Sequence, residues 1–466
     1  MRFVRAMLLL LVLPHFAAAQ AIDTMALRAH TRFLASDALQ GRGTGTRGEQ
    51  VAAEYIAAQL MRLGVSPMAN GSHLQTVPLK RATITQATVR YQGQSYGASD
   101  FVWNTGGRDA FRHFSGPLTF VGMIDTTAVR RASEMRGRVV VLTGPMGAAA
   151  LTYVPALMRA GAAGVVIAVT DSSMFGLFTR SRGEARYFVD AEINDPVWQA
   201  DLPVIIAGPG LARPLLARDR FSELPGTLQA DVTVEIDAVP AANVVGIIPG
   251  RDARLAQEIV AFSAHYDHLG ISTPNARGDS IYNGFSDNAA GVAMLLGIAE
   301  LMKKDPPARS VMFLFFTGEE RGLLGSSYYA SHPALPLARM KALINLDAGA
   351  PPAPPISWRI AGGQTPQAAG LSSIASEVAT ARKWTADPSG ASPNSDYWPF
   401  LERGVPSIFI IPGNQWENVT AEQQTALRQR WDRYHRADDE WHPEFPFSGL
   451  ARYAQFAFEI GRRAAN

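Results

Sequence analysis

"VMFLFFTGEERGLLGSSYYA", residues 311–330, decides how the chain is read. Six apolar residues, Val311 to Phe316, have the composition of a strand covered on both faces. The run breaks at Thr317-Gly318 and then presents two adjacent carboxylates, Glu319 and Glu320. Burying one carboxylate is costly unless cations or donors meet it, and two side by side repel. Something positively charged is therefore expected beside the end of this strand.

Other segments repeat the pattern. "EIVAFSAH" (258–265), "KALINLDA" (341–348) and "PSIFIIPG" (406–413) are near-continuous apolar runs. Between them "DNAAGVAMLLGIAELMKK" (287–304) has helical periodicity, with Val292, Leu295, Leu296 and Ala299 inward, and "SGLARYAQFAFEIGRR" (448–463) closes the chain as a second amphipathic helix. The alternation predicts an open, mostly parallel mixed α/β sheet with helices on both faces, whose ligands bind beyond the carboxyl ends of the strands. Earlier, "GRVVVLTG" and "GVVIAVT" around an intervening helix form a βαβ unit, and "DLPVIIAG" and "LQADVTVEI" add strands. Residues 110–240 are accordingly assigned to a smaller inserted α/β domain, leaving 20–109 and 241–466 for the main one. Within the insert, "SMFGLFTRSRGEARYFVDAE" (173–192) is expected to be an irregular loop, and "GAPPAPP" (349–355) a surface loop.

Composition narrows the chemistry. The chain has 466 residues, 47% of them hydrophobic and 18% charged, which suits a globular protein with a sizeable core. Arg2 and Arg5, the apolar "AMLLLLVLPHF" and the small-residue "AAAQ" read as a signal peptide over residues 1–19. The expectation is a periplasmic or secreted protein with no membrane span after cleavage. Those two arginines account for the whole formal excess of +2. A balanced mature chain has no electrostatic footprint for nucleic acid or an anionic membrane. Without any cysteine, disulfides, thiol nucleophiles and thiolate metal sites are excluded. A metal must be held by His, Asp and Glu.

Such residues collect after the strand ends. "AHYDHLG" supplies His265 and Asp267, two apart and so on one face of a strand. "YNGFSDNAAG" supplies Asp287, "GEE" Glu319 and Glu320, "NLDAG" Asp347, and "RYHRADDEW" His435. Each has a plainer reading: Asp287 as a helix cap, Asp347 in a turn, either histidine in a structural hydrogen bond. Together they offer nitrogen and oxygen donors without sulfur, which suits zinc in a hydrolytic site and by ligand type also admits manganese or cobalt. "GRGTGTRG" (41–48) follows no predicted strand and lacks the lysine-hydroxyl ending of a nucleotide loop, so it is read as a turn between two helices.

"HYDH", "GFSDNAAGVA", "FTGEERGLLGS", "NLD" and "RYH" resemble the five signature blocks of the two-zinc exopeptidase superfamily, which includes bacterial leucyl aminopeptidases and glutamate carboxypeptidases. Residues 110–240 resemble the protease-associated domain that many members carry as an insertion. The resemblance implies two Zn2+ per chain bridged by Asp287. Glu320 and His435 would complete one site, and His265 and Asp347 the other. It implies Glu319 as general base for the attacking water and Asp267 as the residue orienting His265. His268, one residue beyond the alternation, is assigned a supporting role. Asp396 and Tyr397 of "SDYWPF" are expected near the substrate. The implied activity is removal of N-terminal residues from peptides. The alternatives are a carboxypeptidase using Arg277, Arg321 or Arg403 for the α-carboxylate and, further off, a glutaminyl cyclase or a receptor-like binding protein. The oligomeric state is open.

Overall fold

The computed structural model describes residues 21–104, 113–123, 125–143, 154, 156–179, 185–191 and 204–466. The signal-peptide stretch 1–19 lies outside them. The main sheet has eight strands in the order Leu74–Thr76, Ala242–Ile248, Ser310–Phe316, Ile259–His265, Met340–Asn345, Ser407–Pro412, Ser357–Ala361, Thr385–Ser389. The central four, from Ser310–Phe316 to Ser407–Pro412, are mutually parallel. Antiparallel strands flank them on both sides, giving the mixed sheet expected from the apolar runs.

Strand alternation explains why those runs are apolar throughout. Phe262 and Phe313 stack with ring centroids 5.7 Å apart on the face where Gly461 of the terminal helix Ser448–Ala465 comes down. A Cβ at Gly461 would stand 2.1 Å from the Phe262 ring, so only glycine allows the helix this close. Phe316 points to the other face and meets Tyr329 and Phe400. The helices Thr24–Leu34, Ala290–Lys304 and Ser448–Ala465 pack on one another over the first face. Both faces being covered, burial rather than amphipathic alternation sets the strand composition.

A second, nine-stranded sheet holds the inserted region, and here the sequence-based boundary needs correction. Its strands begin at Leu79, not near residue 110. Leu79–Tyr91 runs antiparallel along Ser222–Val239, and Phe101–Asn104 pairs with Val204–Ala207. The long polar alternation of "LKRATITQATVRY" marks a strand with one solvated face, a weaker signal than the buried runs further on. Residues 173–192 also differ from the loop expected of them, since Ser172–Thr179 is helical and Arg186–Val189 pairs with Leu79–Ala82.

Candidate metal centre

Three of the segments that carry candidate ligands leave the sheet at one edge. The strand Ile259–His265 ends in His265 and runs on to Asp267, both buried. Ser310–Phe316 ends before Gly318, whose φ of +65° turns the chain so that Glu319 and Glu320 follow at once. Met340–Asn345 leads to Asp347. Asp287 comes from the loop before the helix Ala290–Lys304, after Gly284 at φ +59°, where a Cβ would stand 2.2 Å from the Asp287 carbonyl oxygen and 2.6 Å from the His268 ring. The cap at this helix start is supplied by Asn288, whose Oδ1 accepts from Gly291 N at 2.9 Å. That leaves the Asp287 carboxylate free of capping duty. His435 enters from the C-terminal segment.

The two carboxylate oxygens of Asp287 face different histidines. Oδ1 lies 3.1 Å from His265 Nε2, which also stands 2.8 Å from Asp347 Oδ1. Oδ2 lies 3.1 Å from His435 Nε2, which stands 3.3 Å from Glu320 Oε2. Two clusters of nitrogen and oxygen donors thus share Asp287. Donor atoms on one tetrahedral zinc with bonds of about 2.0–2.1 Å stand roughly 3.3 Å apart, so these spacings and donor types fit two such ions. His268 Nδ1 also approaches the second cluster, at 2.6 Å from Glu320 Oε1 and 3.8 Å from Asp287 Oδ2. His268, Asp287 and Glu320 thus also bring three donors close enough together to hold an ion, alongside the group of His265, Asp287 and Asp347.

The electrostatics follow from this crowding. Burial alone would raise Asp287, but the bonds from His265 and His435 hold it well below the carboxylate range. Burial lowers His435, yet Asp287 and Glu320 outweigh it and lift the imidazole to about 10. Glu319 is pushed well above the ordinary glutamate value, first by burial and then by Asp347, Asp396 and Glu320, with His265 opposing. The two adjacent glutamates are therefore unlike: Glu320 pairs with histidines that hold it low, while Glu319 is buried among carboxylates that raise it.

Asp267 plays a different part from orienting His265 through its carboxylate. The His265 Nδ1 contact is with the Asp267 backbone carbonyl at 3.1 Å, the nearer carboxylate oxygen being 3.6 Å away. The carboxylate instead accepts from Glu319 N at 3.1 Å and Thr44 Oγ1 at 2.8 Å, fixing the backbone of the GEE turn. Asp396 and Tyr397 do not line the cavity. Tyr397 is fully buried and bonds to the Ser392 backbone. Asp396 is buried and pushed up to about 7, by burial first. Their neighbour Ser395 is the residue that reaches the site, donating to Asp347 Oδ2 in a chain with Asn345 and Ser263.

Two supporting residues escaped the sequence reading. Arg42, from "GRGTGTRG", is fully buried and donates to the carbonyls of Tyr266, Leu34, Asn283 and Gly284, bracketing the His265 and Asp287 loops. Burial pulls it down to about 10, though Asp287 and Asp439 lie near enough to oppose that. Asp439 accepts from the backbone N–H groups of Ser286 and Asp287 at 3.0 and 3.2 Å. The available signals were an arginine amid glycines and a double aspartate just after His435.

The donors open into a cavity of about 490 Å³ with His265, Asp287, Glu319 and Asp347 at its floor. Gly349 to Pro352 form part of its wall, and Pro351 to Ala353 are buried, so "GAPPAPP" is not the surface loop expected. Prolines suit a wall whose backbone need not donate. Arg277, Arg321 and Arg403 are all outside it. Arg277 pairs with Glu440 at 3.6 Å, Arg321 lies over Tyr187, and Arg403 donates to Pro399 O and Ser331 Oγ.

The mixed α/β sheet carries this donor set at the carboxyl edge of its parallel strands. Residues 243–457 match the model of peptidase family M28. Aminopeptidase YwaD of Bacillus subtilis (strain 168) is 31% identical over 125 residues, 26% of this chain and 25% of that protein's length. Among solved structures, the aminopeptidase from Aneurinibacillus sp. strain AM-1 aligns with a TM-score of 0.61 at 18% identity, over 96% of this chain and 95% of that one. BSAP, a zinc aminopeptidase from Bacillus subtilis, aligns with a TM-score of 0.55 at 18% identity, over 96% and 97%. At such identity the likeness is one of fold.

Proposed function

We propose that the protein is an exported aminopeptidase that removes N-terminal residues from peptides at a two-zinc centre. The observation that carries this reading is the sharing of Asp287 between two histidine-carboxylate clusters, one of which, with His265 and Asp347, lines an open cavity. His265, Asp347 and Asp287 would hold one ion, and Glu320, His435 and Asp287 the other, with His268 hydrogen-bonded to Glu320. Zinc bound there would polarise a scissile carbonyl and make a water molecule more acidic. Glu319 is the general base: its carboxylate takes the proton of the attacking water and delivers it to the leaving amine nitrogen. Asp267, by accepting from Glu319 N, holds that carboxylate in place, and Ser395 and Asp439 fix Asp347 and Asp287. Export rests on the N-terminal charge and apolar pattern of the sequence.

The three arginines considered for a carboxypeptidase lie away from the cavity, so that alternative is decided by the substrate and not by these residues. The test is hydrolysis of aminoacyl anilides beside the same compounds with blocked amines, with and without a chelator. Cleavage of the free-amine set only, abolished by chelator and restored by zinc, is expected. Equal cleavage of blocked substrates, or indifference to chelator, would overturn the proposal.

A further inference from the structure

The cavity has a cationic wall that the metal centre does not explain. Arg359 lies in the strand Ser357–Ala361, opposite Ile411 of Ser407–Pro412. Ile411 and, two residues earlier on the same face, Phe409 also line the cavity. Among the described residues the Arg359 side chain makes no hydrogen bond or ion pair, even with Asp387, its register neighbour on the other side. Arg428, from the helix Ala421–Trp431, reaches the same cavity. It donates to Asn414 Oδ1 at 2.6 Å and stands 5.3 Å from the Trp416 ring centroid, which fixes its direction while leaving other N–H groups unused. Elsewhere arginines near this unit are met by carboxylates, as Arg309 is by Glu258 and Arg452 by Glu417. Beyond the floor, only Asp432 offsets the two arginines in the cavity lining.

We infer that Arg359 and Arg428 form a subsite for a carboxylate of the substrate, either the C-terminal carboxylate of a short peptide or an acidic side chain. The inference rests on the aminopeptidase reading and specifies its substrate class. A guanidinium offers paired N–H donors that match a carboxylate, and one already stacked on an indole loses little freedom on binding it. The neighbouring Phe409, Ile411 and Trp416 lower the local dielectric, so the pair is screened less than at an open surface.

The test compares kcat/KM of the zinc-loaded full chain in two arms. In the first, tripeptides with a free C-terminal carboxylate are set against their C-terminal amides. In the second, glutamyl and aspartyl anilides are set against glutaminyl and leucyl anilides. A charge-assisted contact of this kind predicts a preference of roughly 10- to 100-fold for the carboxylate in one arm, which identifies its source. Arg359→Gln and Arg428→Gln should each collapse that ratio towards one, chiefly through KM, while Arg359→Lys retains part of it. Calorimetric binding of the same peptides to the Glu319→Gln protein should show the same ratio without turnover. Cleavage of leucyl anilide with no carboxylate preference in either arm, or a preference that survives both substitutions, would overturn the subsite alone. Absence of any amine-dependent cleavage would overturn the peptidase reading and this inference with it.

Discussion

At the scale of single residues, the two adjacent glutamates divide their labour by what they touch. Glu320 faces His435 and His268, whereas Glu319 is buried among carboxylates and held by its backbone to Asp267. Glu319→Gln is expected to lower kcat by roughly 10²- to 10⁴-fold with metal content still near two per chain; elemental analysis showing zinc loss would contradict its role as base. Asp287→Asn should cost metal at both positions, and an undiminished metal count would refute sharing. Away from the site, burial and Arg62 pull His30 down to about 4, with its Nδ1 bonded to Tyr55. Its ordinary value is 6.5, so between these limits the unfolded chain takes up a proton that the folded one refuses. The stabilisation is whole above pH 6.5 and is lost as pH falls towards 4, by up to about 3 kcal/mol. Urea unfolding at pH 7 and 4.5 should show a shallower loss for His30→Gln than for the parent; parallel losses would rule the effect out.

At the scale of elements, the site is a set of loops clamped from behind. Arg42 ties four carbonyls, and Asp439 ties the turn that carries Asp287. Asp439→Ala should weaken zinc retention roughly 10- to 100-fold in competition with a chelator; unchanged retention would show the clamp to be dispensable. The apolar strands and their terminal carboxylates were legible in the sequence because burial on both faces leaves one kind of side chain until the sheet edge. The candidate ligands His265, Glu320 and Asp347 stood at or just after those edges, whereas Asp287 and His435 came from a helix start and the C-terminal segment. Arg42 and Asp439 were not legible, since their partners lie 224 and 153 residues away and no periodicity links them. The part of Asp267 was legible only in position. Two-residue spacing puts it beside His265, but its bonds to Glu319 and Thr44 depend on how three segments meet. "GAPPAPP" misled for a related reason, because proline-rich composition describes a backbone without donors and not its depth.

At the scale of the whole molecule, the second sheet is carried between two neighbouring points of the first. Val77 N donates to Ala241 O at 2.9 Å, so the chain leaves and returns at one place. Excising residues 79–239 with a short glycine link should leave a folded protein that still binds zinc, whereas cutting from 110 should not, because it strands Leu79–Tyr91 without its partner Ser222–Val239. Soluble expression and metal content decide between them, and two equally sound deletions would refute the revised boundary. Arg42 has one more consequence, for the order of events. It comes from the first described segments of the chain, yet every carbonyl it holds near the candidate metal centre belongs to residues beyond 265. A growing chain must therefore present its early helices long before the loops they clamp exist. Closing such distant contacts costs loop entropy, so the bonds from Arg42 to Tyr266, Asn283 and Gly284 can form only once the chain beyond residue 284 exists.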